Sequence, residues 1–134
     1  MERLAWRDEY LVSVEEIDDQ HRRVFAAVGE LQRAADRSRE AFAQVLRGLA
    51  GYAVEHFSAE ERLMEESGYP GFAAHQGEHQ RFTRTLLGFE AEFQAGRAEA
   101  GDLLLALTNW LPRHITGEDR EMGAYLQTRR GTPE

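Results

Sequence analysis

The chain contains no cysteine and no lysine. Without thiols there is no disulfide framework, thiolate zinc site, iron–sulfur cluster or cysteine nucleophile. Without an ε-amine there is no Walker-type phosphate loop and no Schiff-base chemistry. Proline occurs only at Pro70, Pro112 and Pro133. No apolar run approaches the roughly 18 residues of a membrane span. The N-terminal MERLAWRDEY lacks the apolar stretch of a signal peptide, so the expected location is cytoplasmic. Basic charge is also scarce: sixteen arginines face 24 acidic residues, for a net charge of −8. That balance argues against nucleic acid and anionic membrane as partners, because both demand a basic surface.

What remains is a helix-forming chain. Its 134 residues amount to one domain, residues 1–134, and 42% apolar content is enough for a core. Ala, Leu, Glu, Gln and Arg dominate, and no segment alternates with the period of a strand. Apolar residues recur instead at helical spacing, which predicts helices over about 14–37, 39–66, 71–95 and 101–127. Ser13 and Glu16 have the spacing of a capping box at the first of them. Ser67-Gly68-Tyr69-Pro70-Gly71 separates the second from the third. The expected fold is all-α: an up-down-up-down four-helix bundle with an N-terminal arm over residues 1–13 and a frayed tail over 129–134. Trp6 and Tyr10 are expected to pin the arm to the bundle.

The apolar stripes carry an unusual load. All five histidines, His21, His56, His75, His79 and His114, fall on inward faces. Glu60 follows His56 by four residues and shares its face, and His75 and His79 form a second such pair. One histidine in a core stripe is ordinarily structural. Five together bring up to ten ring nitrogens inside, and each unpaired one costs about 1–3 kcal/mol. A metal resolves the conflict by turning imidazoles and carboxylates into ligands. The set is too large for one ion and fits two with bridging carboxylates. Nitrogen and oxygen donors without sulfur suit iron, manganese, copper or zinc.

Two features of the fourth helix break its regularity. Pro112 removes a backbone bond to Thr108, which predicts a kink near 108–112. Asp119 follows His114 by five residues, about 140° apart on an ideal helix. A widened turn over 114–119 is therefore expected if both address one centre.

The motifs Ile17-Asp-Asp-Gln-His21, His56-Phe-Ser-Ala-Glu60, His75-Gln-Gly-Glu-His79 and His114-Ile-Thr-Gly-Glu-Asp119 resemble the hemerythrin family, in its bacterial single-domain form. Trp6, Tyr10, the Gly68-Tyr69-Pro70 turn and Trp110-Leu111 match as well, so the resemblance spans residues 6–126. It implies an oxo- or hydroxo-bridged pair of iron ions. His75, His79 and His114 would hold one iron, His21 and His56 the other, and Glu60 and Asp119 would bridge them. It further implies a non-heme di-iron protein that reversibly binds dioxygen for storage, delivery or sensing. Dioxygen would bind at the five-coordinate iron as a peroxide-level adduct, in a pocket whose candidates are Phe25, Phe57, Trp110, Leu111 and Ile115.

Asp18, Gln20, Gln76 and Glu78, next to ligands in sequence, are candidates to support them. The expectation is a binding protein and not an enzyme, with an electron-transfer or oxygen-accepting protein as a further partner. The alternatives are a di-iron redox enzyme acting on peroxide or nitric oxide, an iron donor for cluster repair, and an interaction module with a structural metal.

Overall fold

The helical spacing becomes five α-helical segments in a computed structural model, which describes residues 5–130. They are α1 (Glu15–Ala35), α2 (Arg39–Ser67), α3 (Phe72–Gln94), α4 (Ala100–His114) and α5 (Arg120–Arg130). A π-helical turn, Ile115–Asp119, joins α4 to α5, so the two form one long rod. The chain is an all-α, up-down-up-down four-helix bundle with an N-terminal arm. Residues 1–4 of the arm, and 131–134 of the tail expected to fray, lie outside the described residues. Among the described residues, no helix is long and apolar enough to cross a membrane.

Local chemistry sets most helix ends. The Ser38 hydroxyl accepts the Ala41 N–H at 3.0 Å and opens α2. Gly68, with φ 71°, closes α2 in the left-handed region that glycine tolerates. The Asp102 carboxylate accepts the Glu99 N–H at 3.0 Å at the start of α4. The first helix corrects the sequence reading. Its N-cap is Val14, and Ser13 is turned to φ 69°, so Ser13 does not cap α1. The arm dictates this outcome: the Val12 N–H donates to the buried Asp18 carboxylate at 2.8 Å, which draws the chain over the helix start.

The arm is pinned as its aromatics suggested. Trp6, Tyr10 and Phe25 form a triangle of ring contacts at 5.1–5.6 Å. Val12 lies directly on Gly123 of α5, where a Cβ would collide with the Val12 carbonyl. Only glycine leaves room for the arm at that point.

The core is layered along the bundle. One apolar layer gathers Val24, Val28, Leu49, Leu86, Leu107 and Leu111. A second, beneath the arm, gathers Tyr10, Ile17, Phe25, Met64, Ile115 and Met122. On α1 the chain crosses from Ile17 to Val24 by way of His21. On α2 it crosses from Leu49 to Met64 by way of His56 and Glu60, and on the last rod from Leu111 to Met122 by way of His114 and Asp119. A polar stratum is thus held between two apolar ones.

Candidate metal centre

All seven residues of the implied ligand set meet in that stratum, and each is at least 95% buried. Glu60 and Asp119 stand at its middle, and the imidazoles surround them through Nε2. His79 and His75 approach Glu60 Oε1 at 3.0 and 3.5 Å. His75 and His114 approach Asp119 Oδ1 at 2.8 and 3.2 Å. On the other side, His56 and His21 approach Glu60 Oε2 at 3.0 and 3.3 Å, and His21 approaches Asp119 Oδ2 at 3.0 Å. Each carboxylate therefore divides its two oxygens between two clusters. One contains His75, His79 and His114, the other His21 and His56.

The π turn makes this convergence possible. Regular α geometry would leave Asp119 about 140° from His114. One i→i+5 turn over Ile115–Asp119 brings the two onto one face, and both are buried. This is the widened turn that the five-residue spacing required. α4 runs helical through Pro112, and the π turn begins directly after His114.

The donor set fits a cation. Among the described residues, eight of the nine buried side-chain nitrogens and oxygens without a hydrogen-bond partner belong to these residues; the ninth is Gln32 Oε1. They include both Asp119 oxygens, Glu60 Oε1 and the inward Nε2 of His75, His79 and His114. These atoms lie near one another without forming hydrogen bonds, as lone pairs aimed at common points would. Six such atoms, at about 1–3 kcal/mol each, are a heavy load for a core, and a cation at the centre would take them.

The outer ring nitrogens carry the complementary pattern. His56 Nδ1 donates to Gln20 Oε1 at 2.6 Å, His79 Nδ1 to Glu61 Oε2 at 2.9 Å, and His114 Nδ1 to Glu118 Oε1 at 3.1 Å. A proton held on Nδ1 leaves the Nε2 lone pair of the neutral ring facing the centre. Of the four supporting candidates, Gln20 holds His56 and Gln76 steadies Glu61 through a bond of 3.2 Å. Asp18 instead fastens the arm, and Glu78 pairs with Arg81. Glu61 and Glu118 escaped the sequence reading. Glu118 is four residues after His114, the same i, i+4 signal that identified Glu60.

Electrostatics of the metal-free cluster tell the same story. Burial lowers the His21 pKa, but contact with Asp119 and Glu60 overrides it and pushes the value up to about 10. His75 follows the same balance and is pushed up to about 9, and His114 is also raised. Burial works to raise Glu60, yet His56, His21 and His75 hold it well below the usual carboxylate range. Asp119 is likewise held low: His114 and His21 outweigh both burial and the nearby Glu60 charge. The two carboxylates demand positive charge at their centre, and protons on imidazole supply it when no metal does.

A cavity of about 30 Å³ abuts one side of the stratum. It touches His21, His56 and Asp119, and apolar side chains close the rest. Phe57, Trp110, Leu111 and Ile115, four of the pocket candidates, line it. Phe25 does not: it packs in the other layer against Trp6 and Tyr10. Its neighbour Val24 faces the cavity instead, since one residue along a helix rotates the side chain by about 100°.

Comparison with known proteins agrees with this geometry. The hemerythrin HHE cation-binding domain matches residues 12–126. A bacteriohemerythrin of Stenotrophomonas maltophilia is 36% identical over 118 residues, covering 87% of this chain and 77% of the relative. A bacteriohemerythrin of Methylococcus capsulatus is also 36% identical, over 111 residues, covering 81% of this chain and 85% of the relative. A crystal structure of wild-type hemerythrin superposes with a TM-score of 0.84 at 34% identity, covering 91% of this chain and 96% of that one. With its buried histidine–carboxylate cluster and its helical bundle, the chain belongs to the hemerythrin family.

Proposed function

We propose that the chain holds two iron ions and binds dioxygen reversibly. His75, His79 and His114 would hold one ion, His21 and His56 the other, and Glu60 and Asp119 would serve both. The observation that carries this reading is the division of both carboxylates between the two clusters, with the cavity ending on the smaller one. When bound, the iron pair supplies two electrons and a coordination position for dioxygen that no side chain fills.

The protein's own residues favour binding over further chemistry. The cavity has room for a molecule of about two heavy atoms, being larger than the roughly 10–15 Å³ that one water needs. Its walls contain no hydroxyl, no thiol and no carboxyl or imidazole outside the seven. A general acid or base that could carry a bound molecule onward is therefore missing from the wall. The apolar lining also keeps bulk water from the reacting position. Gln20, Glu61 and Glu118 hold three imidazoles in one tautomer, so little reorganisation accompanies binding.

An anaerobic optical titration tests the reading. The iron-loaded, reduced protein is exposed to dioxygen, which is then removed while the visible ligand-to-iron band is followed. A band that appears and disappears over repeated cycles is expected. Rapid decay to a permanently oxidised spectrum would favour a redox enzyme instead.

A further inference from the structure

The cavity shares a wall with a surface groove. Phe82, Leu107 and Trp110 line it from within, and the same three form the floor of a surface groove between α3 and α4. Phe82 and Trp110 are only partly buried, and their rings stack at 4.2 Å with 20° between planes. The backbones of α3 and α4 approach closely at few points, unlike those of α1 and α2 or of α2 and α3. The seam is thus filled mainly by side chains.

The two stacked rings are not held equally. Trp110 also stacks on His114 at 4.4 Å, which fixes it to the centre. Phe82 has only Trp110 and the edge of Phe57, at 5.9 Å, as aromatic neighbours. The alternative exit is a groove between α2 and α3, which shares only Phe57 with the cavity. Phe57 is buried and stacked on His79 at 3.9 Å, so its ring is clamped.

We propose that small uncharged molecules enter and leave the cavity through the α3–α4 seam, by rotation of Phe82 away from Trp110. The identification of dioxygen as the natural traveller rests on the function proposed above; the passage itself does not. Rotation of a partly exposed aromatic ring breaks one stacking contact and no hydrogen bond. Charged molecules must shed water against an apolar wall, so they enter more slowly than uncharged ones. Phe82 is then a gating residue, and its substitution should change the rates of entry and exit in the same direction.

Xenon exchange in the iron-loaded protein, read by NMR saturation transfer, tests the passage without dioxygen. Phe82→Ala should speed exchange by about tenfold or more, and Phe82→Trp should slow it by a similar factor. Phe82→Leu, which keeps an apolar side chain, should give a smaller acceleration and serves if the alanine variant does not fold. Val54→Trp, in the α2–α3 groove, should leave exchange unchanged. Exchange that ignores Phe82, or that Val54→Trp slows, would overturn the proposal. Dioxygen on- and off-rates in the same variants should shift together. Xenon exchange gated by Phe82 in a protein that forms no dioxygen adduct would keep the passage and remove the oxygen-binding reading.

Discussion

The two clusters of the centre are built unequally. The first offers three imidazoles, from α3 and α4, with one oxygen of each shared carboxylate. The second offers two imidazoles, from α1 and α2, with the other two oxygens. In the first, His79 and His114 donate outward to the carboxylates Glu61 and Glu118, whereas in the second His56 donates to the neutral amide of Gln20. A carboxylate partner makes an imidazole a stronger donor. The cavity abuts the second cluster, the one with fewer and weaker protein donors. On the proposed function, the protein would withhold side chains where a ligand is to go and saturate the other side.

The comparison is broken most severely by Glu60→Ala, which removes an oxygen from both clusters at once. The variant should bind less than one iron per chain, measured by metal analysis after gel filtration; two irons retained would contradict the bridging role. Next come the single imidazoles. His56→Ala should cost the second cluster its iron, whereas His79→Ala, acting on the richer cluster, should retain more metal. Equal losses in the two variants would mean that the asymmetry has no energetic content.

Proton competition ranks third. His21 and His75, at about 10 and 9 in the metal-free cluster, must give up protons to become ligands. Metal affinity should therefore rise with pH between 6.5 and 9, by up to about tenfold per unit for each proton displaced. The stability of the metal-free chain runs the opposite way. The raised histidines contribute stability that is fully present below 6.5 and lost as pH climbs through 9 to 10. The depressed carboxylates contribute stability present above about 4 and lost as pH falls further. Chemical denaturation across pH, with and without metal, checks both signs; a metal-free chain that gains stability from pH 7 to 10 would refute the balance.

The smallest effects concern the outer partners. Glu61→Gln and Gln20→Leu should each weaken metal binding, within the roughly 10–100-fold typical of such positions. Competition against a chelator would measure them. A larger loss for Glu61→Gln would sharpen the contrast, because it replaces a charged acceptor on the richer cluster.

Much of this was legible in the sequence, for reasons that differ by residue. The helices follow from spacing, and the five histidines with Glu60 from their place in apolar stripes. Asp119 was legible only through the family resemblance, since its spacing from His114 is a misfit that the π turn resolves. Ser13 misled because its capping pattern is local, whereas the arm's attachment to Asp18 and Gly123 is tertiary. Phe25 misled by a single helical step, because the stripe is wide enough to face two layers and periodicity does not divide it. Glu61 looks like a solvated position in sequence, and only the rotation of the imidazole reveals its partner, whereas Glu118 carried an i, i+4 signal to His114 that went unread.

The most direct test of the asymmetry is a crystal structure of the iron-loaded protein soaked with azide, a small ligand for open coordination positions. The account predicts the anion in the cavity, on the metal held by His21 and His56, against Phe57, Leu111 and Ile115. Azide on the metal held by His75, His79 and His114, or a single metal shared by all seven residues, would contradict it.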